Sequence, residues 1–196
     1  MLNIILFGTI WGFVEALLGG FLHYARLPLT GQILAPIAFG IMYLAMKSGL
    51  KPHQTVVIAV IAASFKFFDV ILFSTPFTDI HIINPAQAIV MQGLVFAVMA
   101  KTIDRPYLKA VLFIPTATLM FCLVSIATFG YDLTSPNGTI WQTFVPKMPI
   151  GITLTCLVTA AIREKTVNIS SISYAWKIAA SVLLAATAVL LRGLLA

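Results

Sequence analysis

The sequence predicts an all-α polytopic membrane protein, a compact bundle of six to seven transmembrane helices forming one domain over residues 1–196. Hydrophobic residues make up 60% of the chain and charged residues only 9%, against the roughly 25% charged of soluble domains. Mean hydropathy is +1.03. Long apolar runs, most close to the ~20 residues that cross a bilayer, alternate with short polar breaks, which leaves no room for a soluble domain.

The first helix is expected from Leu2 to about Leu22. Met1–Ile5 has no basic n-region and no A-x-A-like cleavage pattern follows, so the run reads as a mature helix rather than a signal peptide. It stops where His23, Tyr24, Arg26 and Pro28 accumulate and Gly31 permits a turn. A second helix spans Gln32 to Lys47, closed by Gly49, Lys51 and Pro52, and a third spans Thr55 to Ser74 with Lys66 and Asp69 inside it. After a break at Pro76, Asp79 and His81, Asn84 is expected to cap a fourth helix. Pro85 then takes its first position, where a missing N–H is harmless, and the helix runs to Ala100. Lys101, Asp104, Arg105 and Pro106 separate it from a fifth helix, Tyr107 to Phe129. The longest break, Gly130 to Pro149, precedes a sixth helix ending at Ile162, and a polar stretch from Arg163 to Ser173 leads into a seventh apolar run, Tyr174 to Ala196.

Charge supplies the orientation. One side of this arrangement collects Lys47, Lys51, Lys101, Arg105, Lys109, Arg163, Lys165 and Lys177, the other only Arg26, Lys147 and Arg192. The positive-inside rule then places the N-terminus in the cytoplasm of a prokaryotic-type inner membrane. The net charge of +6 records topology on this reading, not nucleic-acid binding. No G-x-x-x-x-G-K-[ST] loop is present to cradle phosphates, so an ATP-driven step needs another subunit. Cys122 and Cys156 sit inside apolar runs and are expected to pack as small hydrophobes.

Ionisable groups at bilayer depth cost several kcal/mol and are functional candidates. Glu15, Lys66 and Asp69 are such groups, and Gln87 lies near the outer start of the fourth helix with Gln92 deeper. His23, Tyr24, Arg26, Asp79, His81 and Asn84 stand at the outer helix ends, and Asp132, Asn137, Trp141 and Gln142 in the long loop. Polarity confined to the outer half suits a pocket opening outward, because a through-pore is lined along its whole length. The bland alternatives are ion pairing between Lys66 and Asp69 three residues apart, or a Glu15–Lys66 bridge acting as interhelical glue. A metal site built from His23, His81, Glu15 and Asp79 lacks any tight ligand spacing. Neither Cys has a His partner nearby in sequence to make a nucleophile, so no enzyme activity and no cofactor is expected.

Gly8, Gly12, Ala16 and Gly20 recur every fourth residue, a small-residue stripe that lets another helix approach closely in lipid. With this stripe, the turn Leu27-Pro28-Leu29-Thr30-Gly31, and Asn84-Pro85-Ala86-Gln87-Ala88-Ile89 followed by Gln92-Gly93, the chain resembles the substrate-binding S component of energy-coupling factor (ECF) transporters over roughly Leu2 to Ile162. The resemblance implies a vitamin or micronutrient importer in which a membrane coupling subunit with two ATPases docks on Gly8, Gly12, Ala16 and Gly20. It also implies a small polar or zwitterionic substrate held from outside. Lys66 and Arg26 would meet an anionic group, and Glu15 and Asp69 a cationic or donor group. Trp11, Tyr24 and Trp141 would supply stacking surface, with His23, His81, Asn84 and Gln87 completing the site. The seventh helix departs from that family's usual six. Two other classes compete: a membrane enzyme or redox subunit binding a lipid head group or metal in the same cavity, and a structural membrane subunit whose charges are all interhelical pairs.

Overall fold

The computed structural model describes residues 1–25, 29–68, 70, 76–130, 145–164 and 172–194. Among them there is no strand. The α-helices are α1 (Leu2–Tyr24), α2 (Thr30–Lys47), α3 (Gln54–Ser64), α4 (Ile80–Thr102), α5 (Pro106–Phe129), α6 (Met148–Arg163) and α7 (Tyr174–Leu194). Leu2–Leu22, Ile82–Thr102, Pro106–Phe129 and Val145–Arg163 are each long and apolar enough to cross a membrane, as a helical integral membrane protein requires.

Most boundaries fall where composition places them. Pro106 opens α5 after an extended Arg105, its missing N–H being one that has no intrahelical partner in any case. Gly130 closes the same helix at φ +64°, donating its N–H to the Ile126 carbonyl at 2.9 Å. Two expectations need correction. The fourth helix does not start at Pro85 with Asn84 as cap: it begins at Ile80, and the Asp79 carbonyl receives the N–H groups of Ile82 and Ile83 at 3.0 and 2.9 Å. Helix here buries Ile82, which is 2% exposed, and so early in the helix Pro85 forgoes only the bond to the His81 carbonyl. The third helix is not uniformly α-helical to Ser74 either, because it tightens into a 3₁₀ turn at Phe65–Phe67 that carries Lys66.

Helix α2 is the enclosed element. It packs against α1 and α6, touches α3, α4 and α5, and buries residues around most of its circumference, from Gln32 through Ala45. The surrounding helices form an arc in the order α1, α3, α4, α5, α6, while α7 lies outside the arc on α1. Glycines set the closest approaches. A Cβ on Gly8 would come within 2.7 Å of Ile61, and one on Gly40 within 2.7 Å of Val158, so α1 runs beside α3 and α2 beside α6 nearly in backbone contact.

Lys47 at the end of α2 donates to the Ile162 and Arg163 carbonyls at the end of α6, at 2.9 and 2.6 Å, and the Arg163 guanidinium stacks 5.6 Å from the Tyr107 ring centroid at the start of α5. These contacts gather Lys47, Arg163 and the α4–α5 turn with Lys101 and Arg105 at one end, here the basic end. The last turns of α1 and α5, the 3₁₀ turn after α3, and the first turns of α2, α4 and α6 lie at the other, the far end.

Candidate functional site

The site begins with one turn of α1. Trp11 and Glu15 are four apart and share a face, and the fully buried indole Nε1 donates to Glu15 Oε1 at 3.3 Å. From the 3₁₀ turn after α3, Lys66 enters the same space. Its Nζ lies 3.7 Å from Glu15 Oε2 and donates to the Glu15 backbone carbonyl at 3.2 Å. Glu15 and Lys66 are 5% and 7% exposed. Gly19, one turn further along α1, leaves the approach open: a Cβ there would sit 3.5 Å from Lys66 Nζ and 3.4 Å from Leu34 of α2. Three elements thus meet at a charge pair buried in the half of the bundle toward the far end.

Glu15 and Lys66 carry opposite charges and are partly satisfied by Trp11 and by the Glu15 carbonyl. Low dielectric strengthens the Glu15–Lys66 attraction but not enough to make burial of two ions free, so hydrogen bonds from Trp11 and to the Glu15 carbonyl are what make the arrangement tolerable. Of the two bland alternatives, the Glu15–Lys66 bridge exists; Asp69 lies outside the described residues.

The remaining expected site residues divide three ways. Asn84 and Gln87 are half-buried on α4, and Gln87 Oε1, like Gln92 Oε1, is buried without a hydrogen-bond partner among the described residues. His23, Tyr24 and His81 are placed by backbone only, in the last turn of α1 and the first of α4. Arg26 and Trp141 lie outside the described residues, as do Asp132, Asn137 and Gln142. Among the described residues no three His, Cys, Asp or Glu side chains gather to hold a metal.

The small-residue stripe is occupied within the chain. Gly8 faces Ile61, and a Cβ on Gly12 would lie 2.6 Å from Phe65 Cγ, so both are covered by α3. Ala16 packs with Phe65 and with Ala188 of α7, and Gly20 is half-buried. As a docking face for a second protein, Gly8, Gly12 and Ala16 therefore need correction: within lipid, close packing drives helices together wherever side chains are small, and α3 and α7 take this surface first.

Gln32 was absent from the expected set. It is 4% exposed in the first turn of α2, against Gly151 of α6, and its Oε1 has no partner among the described residues. A glutamine four residues before Pro36, inside an otherwise apolar run, was the available signal. Ser125 and Ser181 are likewise buried with unpartnered hydroxyls among the described residues. Lys177, counted among the basic residues of the cytoplasmic side, is 8% exposed on α7.

Comparison with protein-family models, with curated proteins and with solved structures returns no match. The cluster sets two opposite buried charges beside an indole, with amide oxygens on neighbouring helices.

Proposed function

We propose that this chain is the membrane-embedded solute-capture subunit of an importer of the ECF type, taking a small zwitterionic or net-neutral nutrient into the polar half of its bundle. The observation that carries the proposal is the Trp11–Glu15–Lys66 cluster, a charge pair buried at bilayer depth where function, rather than stability, is the usual reason for keeping ions. Opposite charges side by side suit a solute that carries both signs, because a zwitterion can exchange with both partners. On the proposed topology α2, α3 and α7 cross the membrane beside the four longer helices. The basic end, with eight Lys and Arg against three, faces the cytoplasm together with the N-terminus, so the polar half opens outward. A coupling subunit with ATPases supplies the energy and docks on a face other than that of Gly8 and Gly12.

A second reading has its own observation: Lys66 and Glu15 already satisfy one another, as a purely structural clasp between α1 and α3 would. Thermal melts of the detergent-purified chain against a panel of small polar solutes separate the two. Capture predicts that at least one net-neutral solute raises Tm, since saturation at about a hundred times Kd adds about 2.7 kcal/mol of stability. A flat response across the panel supports the clasp and overturns capture, and copurification of an ATPase complex tests the coupling part by itself.

A further inference from the structure

Gly19 differs from the glycines that set the closest approaches of the bundle. At Gly8 and Gly40 a Cβ would come within 2.7 Å of Ile61 and Val158, and at Gly12, Gly93 and Gly151 it would collide with Phe65, Ala59 and Gln32, so a neighbouring helix keeps each of these five positions bare. At Gly19 a Cβ would meet Leu34 Cδ1 at 3.4 Å, Lys66 Nζ at 3.5 Å and Glu15 Oε2 at 3.9 Å, all ordinary van der Waals separations. Alanine fits there and is the better helix former, so packing and helix propensity both favour a methyl group that the chain lacks. Gly19 is buried, which puts the spared space inside the bundle rather than against lipid.

The walls of that space say what belongs in it. Two of the three wall atoms are the charged atoms of the buried pair, and the pair itself stands at 3.7 Å, longer than the roughly 2.7–2.9 Å of a charge-assisted hydrogen bond. Lys66 Nζ is the nearer of the two, and an oxygen placed under about 1 Å from the Cβ position toward it reaches hydrogen-bonding distance. We propose that Gly19 keeps open a carboxylate subsite beside Lys66, in which the anionic end of the captured solute lies against the glycine and accepts a hydrogen bond from Nζ, with Leu34 as the apolar wall. Glu15 Oε2 borders the same space, so the ammonium of the solute lies on that side and offsets the repulsion between the two carboxylates. The inference rests on the capture reading above and narrows its solute to a zwitterionic carboxylate. A flat carboxylate enters a space one carbon deep, whereas a tetrahedral sulfonate brings a third oxygen that the walls exclude.

Thermal melts of the purified full chain in detergent test this with zwitterions matched in spacer: glycine with aminomethanesulfonate, β-alanine with taurine, and γ-aminobutyrate with 3-aminopropanesulfonate. At least one carboxylate is expected to raise the wild-type Tm at a concentration about tenfold or more below that its sulfonate needs. Gly19→Ala should melt no lower than the wild type without solute, because its methyl group meets no clash. The same variant should need at least about tenfold more of that carboxylate for the same rise, because the methyl group takes the carboxylate's place and forfeits its charge-assisted hydrogen bond. A response in Gly19→Ala equal to that of the wild type, a solute-free Tm several degrees lower in the variant, or a sulfonate that acts as well as its carboxylate each overturn the proposal. If only net-neutral solutes without a carboxylate act, capture stands and the subsite falls. If no net-neutral solute acts on the wild type, capture itself falls and the subsite with it.

Discussion

The two halves of the bundle solve the problem of buried polarity in opposite ways. Toward the basic end, Phe39, Phe96 and Phe113 meet in edge-to-face and tilted contacts with centroids 5.2 to 6.3 Å apart. The polar side chains among them are threonines that turn inward on their own helices: Thr55 donates to the Pro52 carbonyl at 2.7 Å and Thr159 to the Thr155 carbonyl at 2.8 Å. These two hydroxyls are satisfied by carbonyls within a turn of their own backbone, Thr55 also lying 3.5 Å from the Gly93 carbonyl of α4. Toward the far end the polar groups are longer and reach across helices: Lys66 from α3 to α1, Gln32 from α2 toward α6. Some of them find no partner among the described residues. The aromatic contacts of the basic half hold the molecule together, and the cross-helix polar groups of the far half are where the proposed solute would add partners.

Breaking the charge pair gives the largest expected effect. Lys66→Ala leaves Glu15 buried and uncompensated, and denaturation in mixed micelles should show a loss of about 3–5 kcal/mol together with loss of solute response. Adding Glu15→Leu should return most of that stability without returning the response; recovery of both would make the pair a clasp and nothing more.

In the other half, Phe39→Ala should cost a comparable amount, about 3–5 kcal/mol, through the cavity left between α2, α4 and α5. Solute affinity, read by the same thermal shift, should stay as it was. A parallel loss of affinity would mean that the halves are not separable.

Gly12→Leu sits between them, because Phe65 occupies the space a side chain would need and its sequence neighbour is Lys66. Overpacking should lower stability by about 1–3 kcal/mol and weaken solute response together. Unchanged stability with failed uptake would instead restore the stripe to a partner interface.

The smallest change is expected at Thr159→Val, below about 1 kcal/mol, since the hydroxyl is back-bonded to a carbonyl its own helix already uses. A larger loss would reveal a cross-helix role in the basic half that its geometry does not display.

Much of the outline is legible in composition. Pro106, Gly130 and the clusters of Lys and Arg mark helix ends because proline, glycine and hydrated charge are excluded from helix interiors in lipid for local reasons. Glu15 and Lys66 stand out for a similar reason: a charge inside an apolar run is expensive wherever the run is placed. Local rules misjudge Pro85, which a signal for a helix start places at the first position although burial of Ile82 extends the helix beyond it.

Helix number, their approximate ends and the unusual polarity of the far half follow from residue order, since each depends on a residue and the few beside it. Pairing does not. That Lys66 meets Glu15 from fifty-one positions away, that Gly12 admits Phe65 of α3 instead of another protein, and that Gly151 seats Gln32 are outcomes of which helix lies beside which. Small residues and buried amides state what a helix face can accept. Nearly every apolar helix offers an acceptable face, and the choice among them is made by the best simultaneous packing of the whole bundle.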